Sequence, residues 1–131
     1  VCLGKSTYAR CGLIVNVSSE SVDLPFPHLI VYQATKAGLE KFSVKLNQEL
    51  WGKGIRVAVA RAGQMFGAGS SAEMDPVAGA RFFEACAKNG LNLIERGITQ
   101  YEHATQIFRD LIDLPPDMHV EMVAFQGRRP F

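Results

Sequence analysis

The sequence places a tyrosine and a lysine four residues apart, within VYQATKAGLE at positions 31–40. In an α-helix this spacing puts Tyr32 and Lys36 on one face, one turn apart. A lysine ammonium at that distance favours the phenolate, which makes the phenol usable as a general acid or base. The same spacing is also found in ordinary amphipathic helices, where Lys36 would be a solvated residue. The elements around the pair must therefore decide between a catalytic and an ordinary helix.

Those elements predict an α/β fold with a parallel sheet. Continuous apolar runs predict buried strands, and apolar residues at helical spacing predict helices. Strands are expected at 13–19, 55–60 and 118–125, and helices at 29–51, 75–88 and 99–113. Strands that alternate with helices form a parallel sheet with right-handed crossovers. In the helix 29–51 an apolar face is expected from Ala34, Ala37, Phe42, Val44 and Leu46, with Glu40, Lys41, Lys45 and Glu49 facing water.

Ligands of parallel sheets bind beyond the carboxyl ends of the strands. Ser18 and Ser19 end the first predicted strand, Arg61 follows the second, and Tyr32 lies in the first turns of the helix between them. These groups are therefore expected close together at the carboxyl edge of the sheet. There the Ser19 hydroxyl can hold a substrate oxygen in line with the phenol. Ser19 could instead cap a turn. Arg61 could meet a cofactor phosphate or an acidic substrate, although an ion pair at the surface is the favoured interpretation.

The composition excludes several classes of protein. The chain has 131 residues, 47% of them hydrophobic and 21% charged, as expected for one soluble domain. Its net charge of +1 offers no basic field for nucleic acid or an anionic membrane, and no apolar run is long enough for a membrane span. The three cysteines and three histidines have no metal-ligand or disulfide spacing, so no metal is expected and a reducing, cytoplasmic location is favoured. Cys86 is expected to be a small core residue.

These residues resemble the classical short-chain dehydrogenase/reductase family. The resemblance rests on IVNVSS, on a tyrosine thirteen residues after the second serine, and on the YxxxK spacing with Ala-Gly behind it. GKGIRVAVARAG is similar to the family's strand that ends in a Pro-Gly pair, and LPPDMHVEMVAFQGRRP to its C-terminal segment. The fold implied by the resemblance is a Rossmann-like parallel sheet with helices on both faces.

The activity implied by the resemblance is hydride transfer between NAD or NADP and an alcohol or ketone. Tyr32 would be the catalytic acid/base, Lys36 would assist it and hydrogen-bond the nicotinamide ribose, and Ser19 would orient the substrate. Ala62, Gly63 and the backbone near Met65 would meet the nicotinamide end of the cofactor. The resemblance also implies a homo-oligomer in which the helix 29–51 packs against a second subunit. The aromatic and methionine residues of the loop 64–98 suggest a partly apolar substrate; they are Met65, Phe66, Phe82 and Phe83.

The sequence also departs from the family pattern. The glycine-rich fingerprint TGxxxGxG is absent, so residues 1–131 are expected to be a single partial domain, the catalytic half, with the cofactor-fingerprint half missing upstream. GAGSSAE (67–73) stands in the position of the substrate loop and is not a substitute. Ala62 replaces the usual proline, and Gly67 stands where a threonine often touches the cofactor. An alternative stays open, in which the chain is a non-enzymatic half domain that acts as an interaction module.

Overall fold

A three-stranded parallel sheet forms the centre of the computed structural model, which describes residues 12–67, 75–115 and 117–129. The strand order is β1-β2-β5, with β1 at Gly12–Ser19, β2 at Ile55–Ala62 and β5 at Met122–Phe125. The helices are α1 at Ile30–Leu50, α2 at Pro76–Lys88 and α3 at Tyr101–Ile112. A second parallel sheet pairs β3, Met65–Phe66, with β4, Thr99–Gln100, and short 3-10 helices span Glu20–Val22 and Trp51–Lys53.

The predicted α/β fold with a parallel sheet is confirmed, and the main helices and the first two strands begin and end close to their predicted limits. The third strand is shorter than the predicted 118–125. The chain turns after α3, where the Met118 N–H donates to the Pro115 carbonyl at 3.0 Å. His119 then lies against Trp51, with ring centroids 5.5 Å apart. Pairing of β5 with β2 therefore begins only at Met122.

Helices cover both faces of the main sheet, as the resemblance implied. Ser18 pairs with Arg61 in the β1–β2 register, and both side chains contact Glu40 on α1. Phe125 is paired with the residue that follows Arg61, so it lies on the opposite face, because successive side chains alternate along a strand. There it packs edge-on against Phe108 of α3, with ring centroids 6.5 Å apart.

The best-buried part of the sheet is β2, its central strand. Residues 57–60 are at most 1% exposed, since β2 has a neighbouring strand on each side and α1 over one face. A second apolar cluster joins Cys86, Leu91 and Leu93 with Phe26 and Phe82. The expectation that Cys86 is a core residue is confirmed, and burial raises the pKa of its thiol. Asp75 caps α2 by accepting a hydrogen bond from the Ala78 N–H at 2.8 Å.

The buried face of α1 is polar, so the expected apolar face was wrong, although Lys41, Lys45 and Glu49 face water as expected. The residues of α1 that are buried are Glu40, Ser43 and Asn47, whereas Phe42 is 56% exposed. The spacing of Glu40, Ser43 and Asn47 aligns the three buried side chains in one stripe that faces the sheet. Ser43 accepts from the Asn16 side chain at 2.8 Å, and Asn47 accepts from a β2 backbone N–H at 2.9 Å. Each buried polar group has a partner, which offsets the cost of its burial and removes the need for an apolar stripe here.

Candidate active site

Ser19 is the last residue of β1 and faces the space beyond the carboxyl end of the sheet. Its Oγ accepts a hydrogen bond from the Ser21 N–H at 3.2 Å and so caps the 3-10 helix that follows. The capping role considered for Ser19 is therefore real. This cap leaves the Ser19 hydroxyl available to a ligand, because a hydroxyl that accepts one hydrogen bond can still donate its own proton.

Tyr32 and Lys36 lie in the first two turns of α1, on consecutive turns of one face. The Nζ of Lys36 lies 5.7 Å from the centroid of the Tyr32 ring. The same Nζ donates to the Val17 carbonyl at 2.8 Å, which anchors the ammonium to the strand that carries Ser19. Tyr32 itself is 44% exposed, so its phenol is open to a ligand.

A cavity of about 160 Å³ brings two of the predicted catalytic residues together. Its lining residues come from the end of β1, the loop before α1, the first turn of α1, the segment after β2 and the segment after α2; they are Ser19, Glu20, Ser21, Phe26, Leu29, Tyr32, Gly63, Gln64 and Leu93. Whole ligands usually occupy roughly 300–1,000 Å³. This cavity therefore suits one end of a ligand rather than a complete dinucleotide.

Two polar atoms at this cavity lack hydrogen-bond partners within the described part of the chain. They are the Ser21 Oγ and the Gln64 Oε1, both buried. A buried polar atom without a partner costs free energy, so such atoms are rare unless a ligand or water binds them. Both atoms belong to residues that line the cavity, but each atom is itself shielded from solvent, so neither counts as a group exposed to a ligand.

Of the residues predicted to meet the cofactor after β2, only Gly63 lines the cavity. A Cβ added at Gly63 would lie 2.6 Å from the Cβ of Gln126, so the close passage of β5 alone requires glycine here. Ala62 is buried within β2, and Met65 belongs to β3; neither lines the cavity. The roles given to these residues stay predictions.

Packing also explains why residue 67 is a glycine. A Cβ at this position would collide with the ring of Tyr101, the first residue of α3. The segment GAGSSAE was expected to form the substrate loop, and apart from Gly67 it lies outside the described residues.

An ion-pair network lies directly behind the site. The Nε and Nη2 of Arg61 donate to the two carboxylate oxygens of Glu40 at 2.8 and 2.6 Å, and Arg61 also pairs with Asp23. The ion-pair interpretation of Arg61 is confirmed, although the pair lies under α1 rather than on the open surface. Hydrogen bonds from Arg61 hold the pKa of the Glu40 carboxyl below its usual value, and Glu40 in turn raises the pKa of the guanidinium.

A second pair joins Glu20, which lines the cavity, to Arg96. Each of these side chains is only 16% exposed. Arg96 further donates to the side chain of Gln126 at 3.2 Å. Sequence reasoning did not single out this pair, and the separation of its members along the chain gives no local signal for it.

The apolar wall of the cavity was also missed. It is formed by Phe26, Leu29 and Leu93, with Phe82 stacked behind Phe26 at 6.2 Å between ring centroids. The other aromatic residues expected to contact substrate lie elsewhere: Phe66 and Phe83 are 56% and 46% exposed and do not line the cavity. The loop between β1 and α1, rather than the segment after β2, supplies most of the wall.

Within the part of the chain that the structure describes, no three His, Cys, Asp or Glu residues cluster closely enough to hold a metal ion. The helices described there also include none with the length and apolarity of a membrane span.

Comparison with curated proteins finds relatives over short segments. Serine 3-dehydrogenase of Rhizobium radiobacter is 44% identical over 48 residues, which are 37% of this chain and 19% of that protein. The very-long-chain 3-oxoacyl-CoA reductase of Rattus norvegicus is 52% identical over 46 residues, which are 35% of this chain and 15% of that protein.

Solved structures match most of the chain. A short chain dehydrogenase from Mycobacterium paratuberculosis bound to NAD superposes with a TM-score of 0.74 at 19% identity, covering 90% of this chain and 45% of that one. A short-chain dehydrogenase from Streptomyces avermitilis gives 0.64 at 25% identity, covering 88% and 42%. The chain thus spans less than half the length of these structures. The family model described as short chain dehydrogenase matches residues 6–75, more than half of the chain. The chain belongs to the short-chain dehydrogenase family.

Proposed function

We propose that the protein containing this chain is an oxidoreductase that transfers a hydride between a nicotinamide cofactor and an alcohol or carbonyl carbon. The observation that supports this most directly is the meeting of Ser19 and Tyr32 at one cavity, with the Lys36 ammonium 5.7 Å from the Tyr32 ring. Family membership supports the same reaction class.

In this proposal a bound nicotinamide supplies the hydride donor or acceptor, and residues of this chain handle the proton. During alcohol oxidation the Tyr32 phenolate oxygen takes the proton of the substrate hydroxyl, while the carbon that bears this hydroxyl gives up a hydride to the cofactor. During reduction the Tyr32 O–H gives that proton to the carbonyl oxygen. Lys36 stabilises the phenolate by its positive charge, and the Ser19 hydroxyl donates to the substrate oxygen and fixes its position.

The site suits the nicotinamide end of a cofactor. The volume of about 160 Å³ admits one ring rather than a dinucleotide. We propose NAD or NADP as the cofactor, since solved relatives are described as complexes with NAD and with NADP+. We propose that the cofactor phosphates are bound by the other half of the domain, upstream of these residues in the full-length protein.

We further propose that the protein is a cytoplasmic homo-oligomer through α1. The outer face of this helix carries large apolar side chains in water: Ile30 is 79% exposed, Val31 77% and Phe42 56%. Exposed apolar patches of this kind are characteristic of interfaces. The buried free thiol of Cys86 is compatible with a reducing compartment.

The test is an assay of the natural full-length protein with NAD(H) and NADP(H). Serine and a 3-oxoacyl-CoA are the first substrates to try, because the curated relatives are named for them. Cofactor-dependent turnover that Tyr32→Phe removes would support the proposal. Absence of turnover and of cofactor binding would instead favour the non-enzymatic interaction module.

A further inference from the structure

Glu40 lies one helical turn after Lys36, and both side chains face β1. A lysine and a glutamate at this spacing ordinarily attract each other on a helix surface. Here they do not pair. The Lys36 Nζ donates to the Val17 carbonyl at 2.8 Å, and the Glu40 Oε1 accepts from the Ser18 hydroxyl at 2.7 Å. Two adjacent residues of β1 therefore separate two opposite charges that the helix brings close.

Arg61 explains why Glu40 is not available to Lys36. Its guanidinium contacts both carboxylate oxygens of Glu40, at 2.8 Å from Nε and 2.6 Å from Nη2. Such a two-pronged contact is stronger and more directional than a single ammonium contact. Arg61 is held in place at its far side by Asp23, so its position does not depend on Glu40 alone.

We propose that Arg61 is a positioning residue: by occupying Glu40, it keeps the Lys36 ammonium on the Val17 carbonyl and beside Tyr32. Its effect on turnover rests on the proposed function, whereas its effect on the position of Lys36 does not. Without Arg61, Glu40 would be a largely buried carboxylate with Lys36 one turn before it on the side of α1 that faces β1. Because an unpaired buried charge is costly, Lys36 would turn toward Glu40 and leave the site.

A set of variants of the full-length protein separates this proposal from simple loss of packing. In crystals of Arg61→Met we expect the Lys36 Nζ within ion-pair distance of Glu40 and no longer on Val17. In the double variant Arg61→Met with Glu40→Gln, the charge that attracts Lys36 is gone, so Lys36 should return to Val17. Lys88→Met is the matched control, because it breaks the exposed pair with Glu84 at 2.8 Å and should leave Lys36 in place.

Turnover gives the second readout. Arg61→Met should lower kcat about 10- to 100-fold and weaken cofactor binding as Lys36→Met does, with a small change in the KM for the substrate, and the double variant should recover most of the loss. If Arg61→Met does not fold, Arg61→Gln removes the charge while keeping a hydrogen-bonding group and is read in the same way. Lys36 still on Val17 in the single variant, or a double variant as impaired as the single one, would overturn the proposal.

The outcome for Arg61 can be told apart from the outcome for the proposed reaction. If the unaltered protein shows no dehydrogenase activity, the proposed function fails, and the position of Lys36 in the crystals still decides the role of Arg61. If turnover is present and Arg61→Met leaves both Lys36 and kcat unchanged, the reaction stands and the positioning role is rejected.

Discussion

The Nζ of Lys36 lies 5.7 Å from the ring centroid of Tyr32 while donating to the carbonyl of Val17 at 2.8 Å. One side chain thus connects the helix that carries the tyrosine to the strand that carries Ser19. This link fixes where positive charge stands relative to the phenol.

Replacing Tyr32 by phenylalanine should lower kcat of the full-length protein by about 10²- to 10⁴-fold, because the proposed acid/base group is removed. Cofactor affinity should change little, since the ring remains. Steady-state kinetics and cofactor titration measure the two effects. Tyr101→Phe is the control, as Tyr101 begins α3 and does not line the cavity. Full activity in Tyr32→Phe would reject the proposed acid/base.

Replacing Lys36 by methionine should lower kcat and weaken cofactor binding, because the phenol loses the positive charge beside it and the proposed contact with the nicotinamide ribose is removed. Steady-state kinetics and cofactor titration measure the two effects. Lys45→Met tests specificity, since Lys45 bonds Gln48 on the exposed side of the same helix. Unchanged kcat and cofactor affinity would reject the proposed role of Lys36.

Glu40→Gln should make the free energy of unfolding less dependent on pH in the acidic range. Arg61 holds the pKa of the Glu40 carboxyl below its usual 4.5, so the charged form stabilises the fold above that pH and the contribution is lost as pH falls through the lower folded value. At pH 7 the variant should be about 1–3 kcal/mol less stable, between the values for exposed and buried pairs. The difference should shrink below about pH 4.5.

Urea unfolding at a series of pH values measures this difference. Glu84→Gln provides the comparison. Its pair with Lys88 also lowers the pKa of the Glu84 carboxyl, but this pair is exposed and screened by water, so its pH-dependent gap should be clearly smaller than that of Glu40→Gln. A gap between Glu40→Gln and the unaltered protein that stays constant from pH 7 to pH 3 would contradict the assignment to this ion pair.

Gly63→Ala should destabilise the protein by about 1–3 kcal/mol, because the new Cβ would lie 2.6 Å from Gln126 and force β5 to shift. Gly52→Ala adds the same methyl where nothing lies within 4 Å, and it should change stability by less than about 0.5 kcal/mol. Thermal unfolding of both variants makes the comparison. Equal effects would show that β5 yields easily at this point.

The sequence was sufficient for the sheet and for the meeting of Ser19 with Tyr32, because both depend on local patterns. Continuous apolar strands, a glycine-terminated helix and the rule for parallel strand ends determine where these residues lie. The packing of α1 could not be predicted in the same way. Hydrophobicity assigned Glu40 to water, and only the long-range contact with Arg61 reveals why it is buried.

The cavity wall shows the same limit. Phe26, Leu29 and Leu93 come from segments distant in sequence, and nothing local distinguishes them from other apolar residues. Phe66 and Phe83 are equally apolar and belong to the loop that suggested a partly apolar substrate, yet neither lines the cavity. The amino-acid type predicts that such residues can line a site, while the path of the intervening loops decides which of them do.

The hydrogen-bonded stripe beneath α1 also determines how precisely this helix can dock. An apolar interface between a helix and a sheet tolerates a shift of the helix along its axis, because one apolar contact can replace another. A slip of α1 by one turn would separate Glu40 from Arg61, Ser43 from Asn16 and Asn47 from β2. Each separation leaves a buried polar group unsatisfied, at about 1–3 kcal/mol apiece. Misaligned docking is thus penalised at several independent points, so one register of the helix on the sheet is strongly favoured.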